Sequence, residues 1–153
     1  MNIIENINGK LLFDKSEICA GGENDIKEII RVSPFPLPED YIEFLQQISG
    51  ENSYGPEFEV KDDGASIWVW SAKMALEKLE EFNLPFARDF INNAWLFGND
   101  LGDLIYFFGK GKEGFGLYRT YDSDLSFEYA EKISDTLTDF LVNGVGIDIA
   151  TTL

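Results

Sequence analysis

Residues 95–109, WLFGNDLGDLIYFFG, constrain the fold more than any other part of the chain. Two apolar runs, WLFG and LIYFFG, flank a polar connection, and their aromatic and β-branched residues favour strands. The connection, residues 99–103, contains asparagine, glycine and aspartate, which tolerate positive φ or hydrogen-bond their own backbone, as a tight loop requires. The stretch therefore predicts a β-hairpin, and its nearly continuous apolar arms predict central strands that are covered on both faces.

Two helices are predicted in the first third of the chain. The first covers residues 24–32, with Asn24 as its N-cap and two following prolines that prevent its continuation. The second starts with Pro38 at its first position, carries acidic residues in its first turn and ends at Gly50. The inward face of the first is predicted to carry Ile26, Ile29 and Ile30, and that of the second Tyr41, Phe44, Leu45 and Ile48.

Two more helices are predicted further along the chain. Ser71 is expected to cap a helix that runs to Phe82, with an apolar stripe formed by Ala72, Ala75, Leu76 and Leu79. Either Ser134 or Asp135 is expected to cap the last helix, which ends at Gly144 and turns inward Leu137, Phe140 and Leu141. Residues 85–93 are expected to form a short helix or a loop.

Several other segments predict strands. The sequence SIWVWS at residues 66–71 alternates as a strand does, and FEV at residues 58–60 is a short strand inside an otherwise polar loop. Residues 94–121 predict a three-stranded meander that includes the hairpin. Two weaker candidates are a strand at residues 127–130 and a hairpin turn at Asn8-Gly9, between IIENI and KLLF.

This arrangement of elements predicts an α+β fold, in which a central, mainly antiparallel sheet is packed with helices. The chain has 153 residues, which fits a single domain with a real core, and its 44% hydrophobic content excludes disorder through low hydrophobicity. We therefore expect one domain over residues 1–153, with residues 1–22 as a candidate N-terminal extension.

The charge balance limits the classes of function that are open to the chain. Twelve lysines and arginines face 28 aspartates and glutamates, which gives a net charge of −16, and histidine is absent. A strongly acidic surface repels nucleic acid and attracts a basic partner, although acidity also serves solubility alone. Without histidine there is no Ser-His-Asp or Cys-His pair and no His-ligated zinc. We expect a cationic partner and no binding of nucleic acid.

The termini and the cysteine content bear on location. A lone Cys19 cannot form an internal disulfide, and the first ten residues, MNIIENINGK, have neither the basic nor the apolar region of a signal peptide. No apolar run approaches the roughly 18 residues that a membrane helix needs. The sequence thus predicts a cytoplasmic protein that does not bind a membrane.

Motifs for cofactors and catalysis are weak. The glycines of residues 109–116, GKGKEGFG, lack the Gly-Lys-Ser/Thr ending of a phosphate-binding loop and precede a strand. Asp122 and Asp124 resemble the start of a calcium loop, but Phe127 stands where that loop requires glycine. Two carboxylates in a cleft could support glycosidase chemistry, which leaves a carboxylate-only enzyme as an alternative. We otherwise expect no catalytic residue, no cofactor and no metal.

Three stretches occur together in an informative order: LPEDYIEFL at residues 37–45, FGNDLGDLIYFF at residues 97–108, and KISDTLTDFLVNG at residues 132–144. In this order and spacing they resemble the SUKH superfamily, which includes a fungal cell-wall synthesis regulator and many bacterial immunity proteins. The resemblance spans roughly residues 24–144. The chain departs from the pattern at Gly50-Glu51, where many members carry paired glycines.

The resemblance implies a non-catalytic α+β domain that binds a cognate toxin, often a nuclease, and blocks its toxicity. A basic nuclease agrees with the cationic partner that the net charge predicts. A regulatory scaffold like the fungal members is the alternative. Because they fall on predicted loops, the candidate contacts with the toxin are Glu57, Glu59, Asp62, Asp63, Asp100, Asp103, Asp122 and Asp124. Asp103 has a competing role, since it could bond the backbone of its own hairpin.

Overall fold

A computed structural model describes residues 2–152 and contains one antiparallel sheet of seven strands. The strands lie side by side in chain order, each antiparallel to the one before it. They are β1 (Leu11–Leu12), β2 (Glu57–Val60), β3 (Ser66–Val69), β4 (Ala94–Asn99), β5 (Leu104–Gly111), β6 (Gly114–Tyr121) and β7 (Glu131–Ser134). Helices pack against this sheet within one domain, so the predicted α+β class is confirmed.

Six α-helices accompany the sheet in the described part of the chain. They are α1 (Glu23–Val32), α2 (Glu39–Ile48), α3 (Ala72–Phe82), α4 (Arg88–Ile91), α5 (Leu137–Leu141) and α6 (Ile147–Thr151). Short 3-10 turns lie at Lys15–Glu17 and Pro85–Ala87. Helix α6 contacts both β3 and β7, which are separated by three strands, because the sheet curls around it.

The predicted hairpin is confirmed, and β4 and β5 form the centre of the core. Phe97 and Phe108 lie on the face that packs against Tyr41 of α2, with ring centroids 4.7 Å apart. Phe107 lies on the opposite face, where its ring contacts Phe90 of α4 at 4.9 Å. Both faces of the hairpin are therefore covered, as its continuous apolar arms predict.

Helix α2 confirms the sequence pattern almost residue for residue. All four residues of its predicted stripe have 0% exposure: Tyr41, Phe44, Leu45 and Ile48. Pro38 precedes the first helical residue, one position earlier than predicted. The indole Nε1 of Trp95 donates a hydrogen bond of 2.9 Å to the Tyr41 hydroxyl, which joins the helix to β4 inside the core. Helix α3 and its cap Ser71, whose side chain accepts from the Met74 amide, are also confirmed.

Helix α1 differs from its prediction at two positions. Its N-cap is Gly22 and not Asn24, because Gly22 adopts a left-handed conformation (φ 77°) and its carbonyl accepts the first helical bond, from Ile26. Ile30 is exposed, whereas Ile26 and Ile29 are buried. Each residue turns the helix by about 100°, so a buried face centred on Ile29 leaves Ile30 at its edge.

The N-terminal segment does not form the predicted hairpin at Asn8-Gly9. The Asn8 amide groups bond the end of α5 instead: its backbone N donates to the Leu141 carbonyl at 2.8 Å, and its Nδ2 to the Val142 carbonyl at 3.1 Å. The strand that follows is only two residues long and pairs with β2. Ile3 and Leu11 are buried in the common core, so this segment packs as part of the domain.

The C-terminal region carries three corrections. Residues 127–130 are not a strand, because Phe127 packs across the sheet on Phe90 and Phe107, and the strand β7 begins after them. Helix α5 is capped by Thr136, whose side chain accepts from the Asp139 amide, and not by Ser134 or Asp135. Ser134 is the last residue of β7. Helix α6 was not predicted.

Candidate functional site

One end of the sheet collects six of the eight candidate carboxylates. Because neighbouring strands run antiparallel in chain order, the β2–β3, β4–β5 and β6–β7 connections all lie at the same end. We call this region the acidic end, and its carboxylates are Asp62, Asp63, Asp100, Asp103, Asp122 and Asp124. Four of them are exposed, and Asp100 and Asp122 are half-buried. The topology thus brings together residues that lie up to about sixty positions apart in the sequence.

Glu57 and Glu59 are placed differently from the prediction. They lie within strand β2 and not on a loop, which for Glu59 agrees with the strand predicted at residues 58–60, and both side chains are exposed on the outer face of the sheet. Glu57 stands opposite Trp68, and Glu59 stands between Leu12 and Ser66 in adjacent strands. These two glutamates form an acidic extension along one face, separate from the loops of the acidic end.

The β4–β5 loop is held by the side chains of its own aspartate and asparagine. One carboxylate oxygen of Asp100 accepts from the amides of Gly102, at 2.8 Å, and Leu104, at 3.1 Å. Asn99 Oδ1 accepts from the amide of Leu101, which has a φ of 64°. The backbone role considered for Asp103 therefore belongs to Asp100.

The β4–β5 and β6–β7 connections are joined directly. The backbone amide of Asp122 donates a 2.8 Å hydrogen bond to the carbonyl of Asp103. The amide of Asp124 bonds the Tyr121 carbonyl, and its own carbonyl accepts from the Thr120 hydroxyl at 3.1 Å. These bonds use the backbone groups of the aspartates. Within residues 2–152 the carboxylates of Asp103 and Asp124 form no ion pair, while their backbone is fixed.

The carboxylates of the acidic end form two groups, of which one has lysines nearby. Lys10 and Lys61 line the same depression as Asp62 and Asp63. Across residues 2–152, none of the eight candidate carboxylates lies within 4 Å of a lysine or arginine nitrogen. The four aspartates of the β4–β5 and β6–β7 loops therefore project a negative field into solvent.

No group of three acidic, histidine or cysteine residues converges as metal coordination requires within residues 2–152. Over the same residues, no helix combines the length and the apolarity needed to cross a bilayer.

A second surface was missed from the sequence. A groove of about 1080 Å³ lies beside the β5–β6 turn and is also lined by Leu125, Ser126 and Phe127 of the β6–β7 connection. We call it the aromatic groove, after the five phenylalanines in its wall: Phe35, Phe86, Phe90, Phe115 and Phe127. Its lining comes from four segments that are far apart in the sequence. The only sequence signal for it is the surplus of phenylalanine, 13 residues, which does not show where they meet.

Comparison with known families agrees with this fold. The profile of the SMI1/KNR4 family (SUKH-1) matches residues 22–143 of the chain. The chain belongs to this family. The match confirms the resemblance carried by the helix α2, hairpin and α5 stretches. The region that matches the SUKH-1 profile runs from the N-cap of α1 to just after α5, so β1 and α6 lie outside it. No curated protein matches the chain.

Proposed function

We propose that this SUKH-1 protein is a bacterial immunity protein that binds a cognate toxin domain with a basic surface through its acidic end. The observation that carries the proposal is the set of four aspartates in the joined β4–β5 and β6–β7 loops, none of which forms an ion pair with another residue of 2–152. Members of the family are generally non-catalytic and are associated with protein–protein interaction, which supports a binding function.

Binding would proceed in two electrostatic steps. The net charge of −16 first steers a cationic domain towards the protein, which raises the association rate. Lysine and arginine side chains of the toxin then form charge-assisted hydrogen bonds with the loop carboxylates. Because the loop backbones are already fixed by hydrogen bonds, little conformational entropy is lost when these contacts form.

The proposal includes the class of toxin. A nuclease uses a basic surface to hold phosphate groups, and an acidic partner placed on that surface excludes the nucleic acid. Glu57 and Glu59, together with Asp62 and Asp63, would contact the rim of the same basic surface. Charges at a rim affect the association rate more than the dissociation rate. The protein itself then has no hydrolytic activity and no affinity for nucleic acid.

Co-expression with the product of the neighbouring gene tests the function. We expect the protein to restore growth and to co-purify with that product. Failure of both would mean that the immunity proposal is wrong. Rescue without co-purification would contradict direct binding. Stable co-purification with several cellular proteins and no effect on toxicity would instead favour the regulatory scaffold.

A pair of double variants tests the acidic end. Asp103→Asn/Asp124→Asn removes two loop carboxylates. Glu77→Gln/Glu80→Gln removes two exposed carboxylates of α3 that pair with no cation of residues 2–152. Both change the net charge equally. We expect the loop variant to dissociate from the toxin about tenfold faster or more, while the α3 variant changes only the association rate and its salt dependence. Equal dissociation rates for the two doubles would rule out the loop contacts.

A further inference from the structure

Two exposed apolar side chains lie among the carboxylates of the acidic end. Leu101, in the β4–β5 loop, is 51% exposed, and Tyr121, the last residue of β6, is 54% exposed. Among residues 2–152, the hydrophobic core and the apolar side chains that pack against it include neither of them. Their apolar groups therefore contribute little to the fold and are available for contact with another molecule.

Leu101 has a backbone conformation that leucine does not favour. Its φ of 64° lies in the left-handed region, which glycine and asparagine adopt at a lower cost in free energy. The Asn99 and Asp100 side chains accept hydrogen bonds from the amides of Leu101 and Gly102 and hold this conformation. Strained residues are concentrated at binding sites and active sites, where the surrounding structure holds them for function. Exposure and strain together indicate that the leucine serves a contact and not stability.

The two apolar residues lie on one joined surface. A 2.8 Å hydrogen bond links the Asp122 amide to the Asp103 carbonyl. Tyr121 is the neighbour of Asp122 in the chain, and Leu101 lies two positions from Asp103, so both fit within a single interface of standard size, about 800 Å² per partner. The same two loops carry four aspartates that form no ion pair with residues 2–152: Asp100, Asp103, Asp122 and Asp124. The surface thus combines two apolar groups with adjacent negative charge.

We propose that Leu101 and Tyr121 are the apolar anchors of the toxin interface, and that they enter an apolar depression of the toxin bordered by lysine and arginine side chains. This inference rests on the proposed function, because that function brings the toxin to the acidic end. Protein interfaces concentrate their binding energy in a few central side chains, tyrosine often among them, and a polar rim excludes water around these side chains. Because hydrogen bonds fix the loop before binding, Leu101 is presented with little further loss of backbone entropy.

The apolar anchors and the carboxylates then have different roles. The carboxylates attract any protein with a basic surface, since a negative field acts on charge and not on shape. The apolar side chains require a depression of matching shape, and a basic surface without one would lose hydration of its charged groups against leucine and tyrosine. Leu101 and Tyr121 therefore select the cognate toxin among basic proteins.

Dissociation constants for the product of the neighbouring gene test the anchors. Leu101→Asn and Tyr121→Ser are each expected to weaken the complex at least about tenfold. The matched controls are Leu84→Asn and Tyr54→Ser, which change residues that are 43% and 64% exposed outside the loops of the acidic end, and we expect them to stay within about twofold of the wild type. Because asparagine suits the left-handed backbone, Leu101→Asn should unfold at a higher urea concentration than the wild type while it binds the toxin less tightly. Its loss of binding is then not a loss of folding.

Salt separates the anchors from the carboxylates. From about 50 mM to 500 mM NaCl, we expect the factor by which Leu101→Asn and Tyr121→Ser weaken the complex to stay constant within about twofold, because apolar contacts are not screened. The effect of Asp103→Asn/Asp124→Asn should decline over the same range. A complex that depends on these two aspartates but is unaffected by both apolar substitutions, or is equally weakened by the controls, would overturn the anchors and leave the proposed function intact. Absence of any complex with the wild type would overturn both.

Discussion

Leu101 combines two unfavourable properties at the tip of the β4–β5 loop. Its φ of 64° lies in the left-handed region, which costs an L-residue with a side chain roughly 1–2 kcal/mol, and its side chain is 51% exposed. Asn99 and Asp100 hold this conformation through their hydrogen bonds to the Leu101 and Gly102 amides. The strained conformation is therefore held by the side chains of the neighbouring residues.

Relief of this strain should stabilise the protein. We expect Leu101→Asn to raise the free energy of unfolding by about 0.5–1 kcal/mol, because asparagine tolerates positive φ. Leu101→Ala is the control, since it removes the same apolar side chain and keeps the unfavourable conformation. Urea denaturation measures both. Equal stabilities for the two variants would show that φ at this position carries no strain.

Tyr41 makes stability sensitive to alkaline pH. Burial raises the pKa of its hydroxyl well above the ordinary value, and the hydrogen bond from Trp95 lowers that pKa only in part. The folded state therefore keeps the proton at a pH where the unfolded chain has lost it. The unfolded state then binds fewer protons, so stability is full below roughly pH 10 and falls as the pH rises above it.

The variant Tyr41→Phe isolates this contribution. Near neutral pH it leaves the buried Trp95 N–H without an acceptor, so we expect a loss of about 1–3 kcal/mol relative to the wild type. Above pH 10 only the wild type loses the stability that the protonated Tyr41 contributes. The difference in the free energy of unfolding between the wild type and the variant should therefore become smaller. Denaturation midpoints from pH 7 to 11 measure it. A constant difference over this range would contradict the raised pKa.

At the scale of elements, the C-terminal helix depends on one buried cation. Arg119 of β6 is only 7% exposed, and its guanidinium donates to Glu131 of β7 at 2.9 Å and to the carbonyl of Thr152, just after α6. The side chain of Glu131 is 61% exposed, so removal of the arginine does not leave a buried carboxylate without a partner. Arg119 thus fastens the end of α6 to the edge of the sheet.

Removal of the Arg119 hydrogen bonds should destabilise α6 more than the rest of the protein. We expect Arg119→Met to cost about 1.5–3 kcal/mol and to speed amide exchange in α6 more than in β4 and β5, because it deletes hydrogen bonds made by a charged group. Arg31→Met is the control, since Arg31 pairs with Glu28 on an exposed helix surface and should cost under about 1 kcal/mol. Uniform acceleration of exchange throughout the protein would mean that Arg119 supports the whole fold and not this helix in particular.

The elements that were predictable from the sequence are those with a complete local signal. Helix α2 has a full apolar stripe and a stop at Gly50, and the β4–β5 hairpin has continuous apolar arms around turn residues. The strand β1 has two residues, which is too short for a periodic pattern. Helix α6 has five residues, as the predicted helix α5 has, but it starts after Gly146 without a capping side chain. Their conformations follow from long-range contacts, such as the bonds from Asn8 to the end of α5.

At the scale of the whole molecule, the candidate surfaces depend on topology more than on motifs. The sequence shows acidic loops, but only the alternation of strand direction shows that three of them share one end of the sheet. The same topology moves Glu57 and Glu59 away from that end, and it assembles the aromatic groove from four distant segments. Net charge indicates which kind of partner to expect, whereas strand order determines which carboxylates lie at the same end of the sheet.

Repulsion between the like charges of the acidic end should also lower the thermal stability of the protein when no partner is bound. We expect the thermal midpoint to rise as NaCl goes from about 10 mM to 150 mM, because the Debye length falls from about 30 Å to 8 Å and self-repulsion is screened. In 10 mM salt, Asp103→Asn/Asp124→Asn should stabilise the protein by about 0.5–1 kcal/mol, and Glu77→Gln/Glu80→Gln by less, because repulsion between close charges is stronger. The difference between the two doubles should disappear near 1 M NaCl, where the Debye length is about 3 Å. If both doubles respond to salt equally, the loop aspartates repel one another no more than carboxylates elsewhere, and the acidic end is not a distinct electrostatic feature.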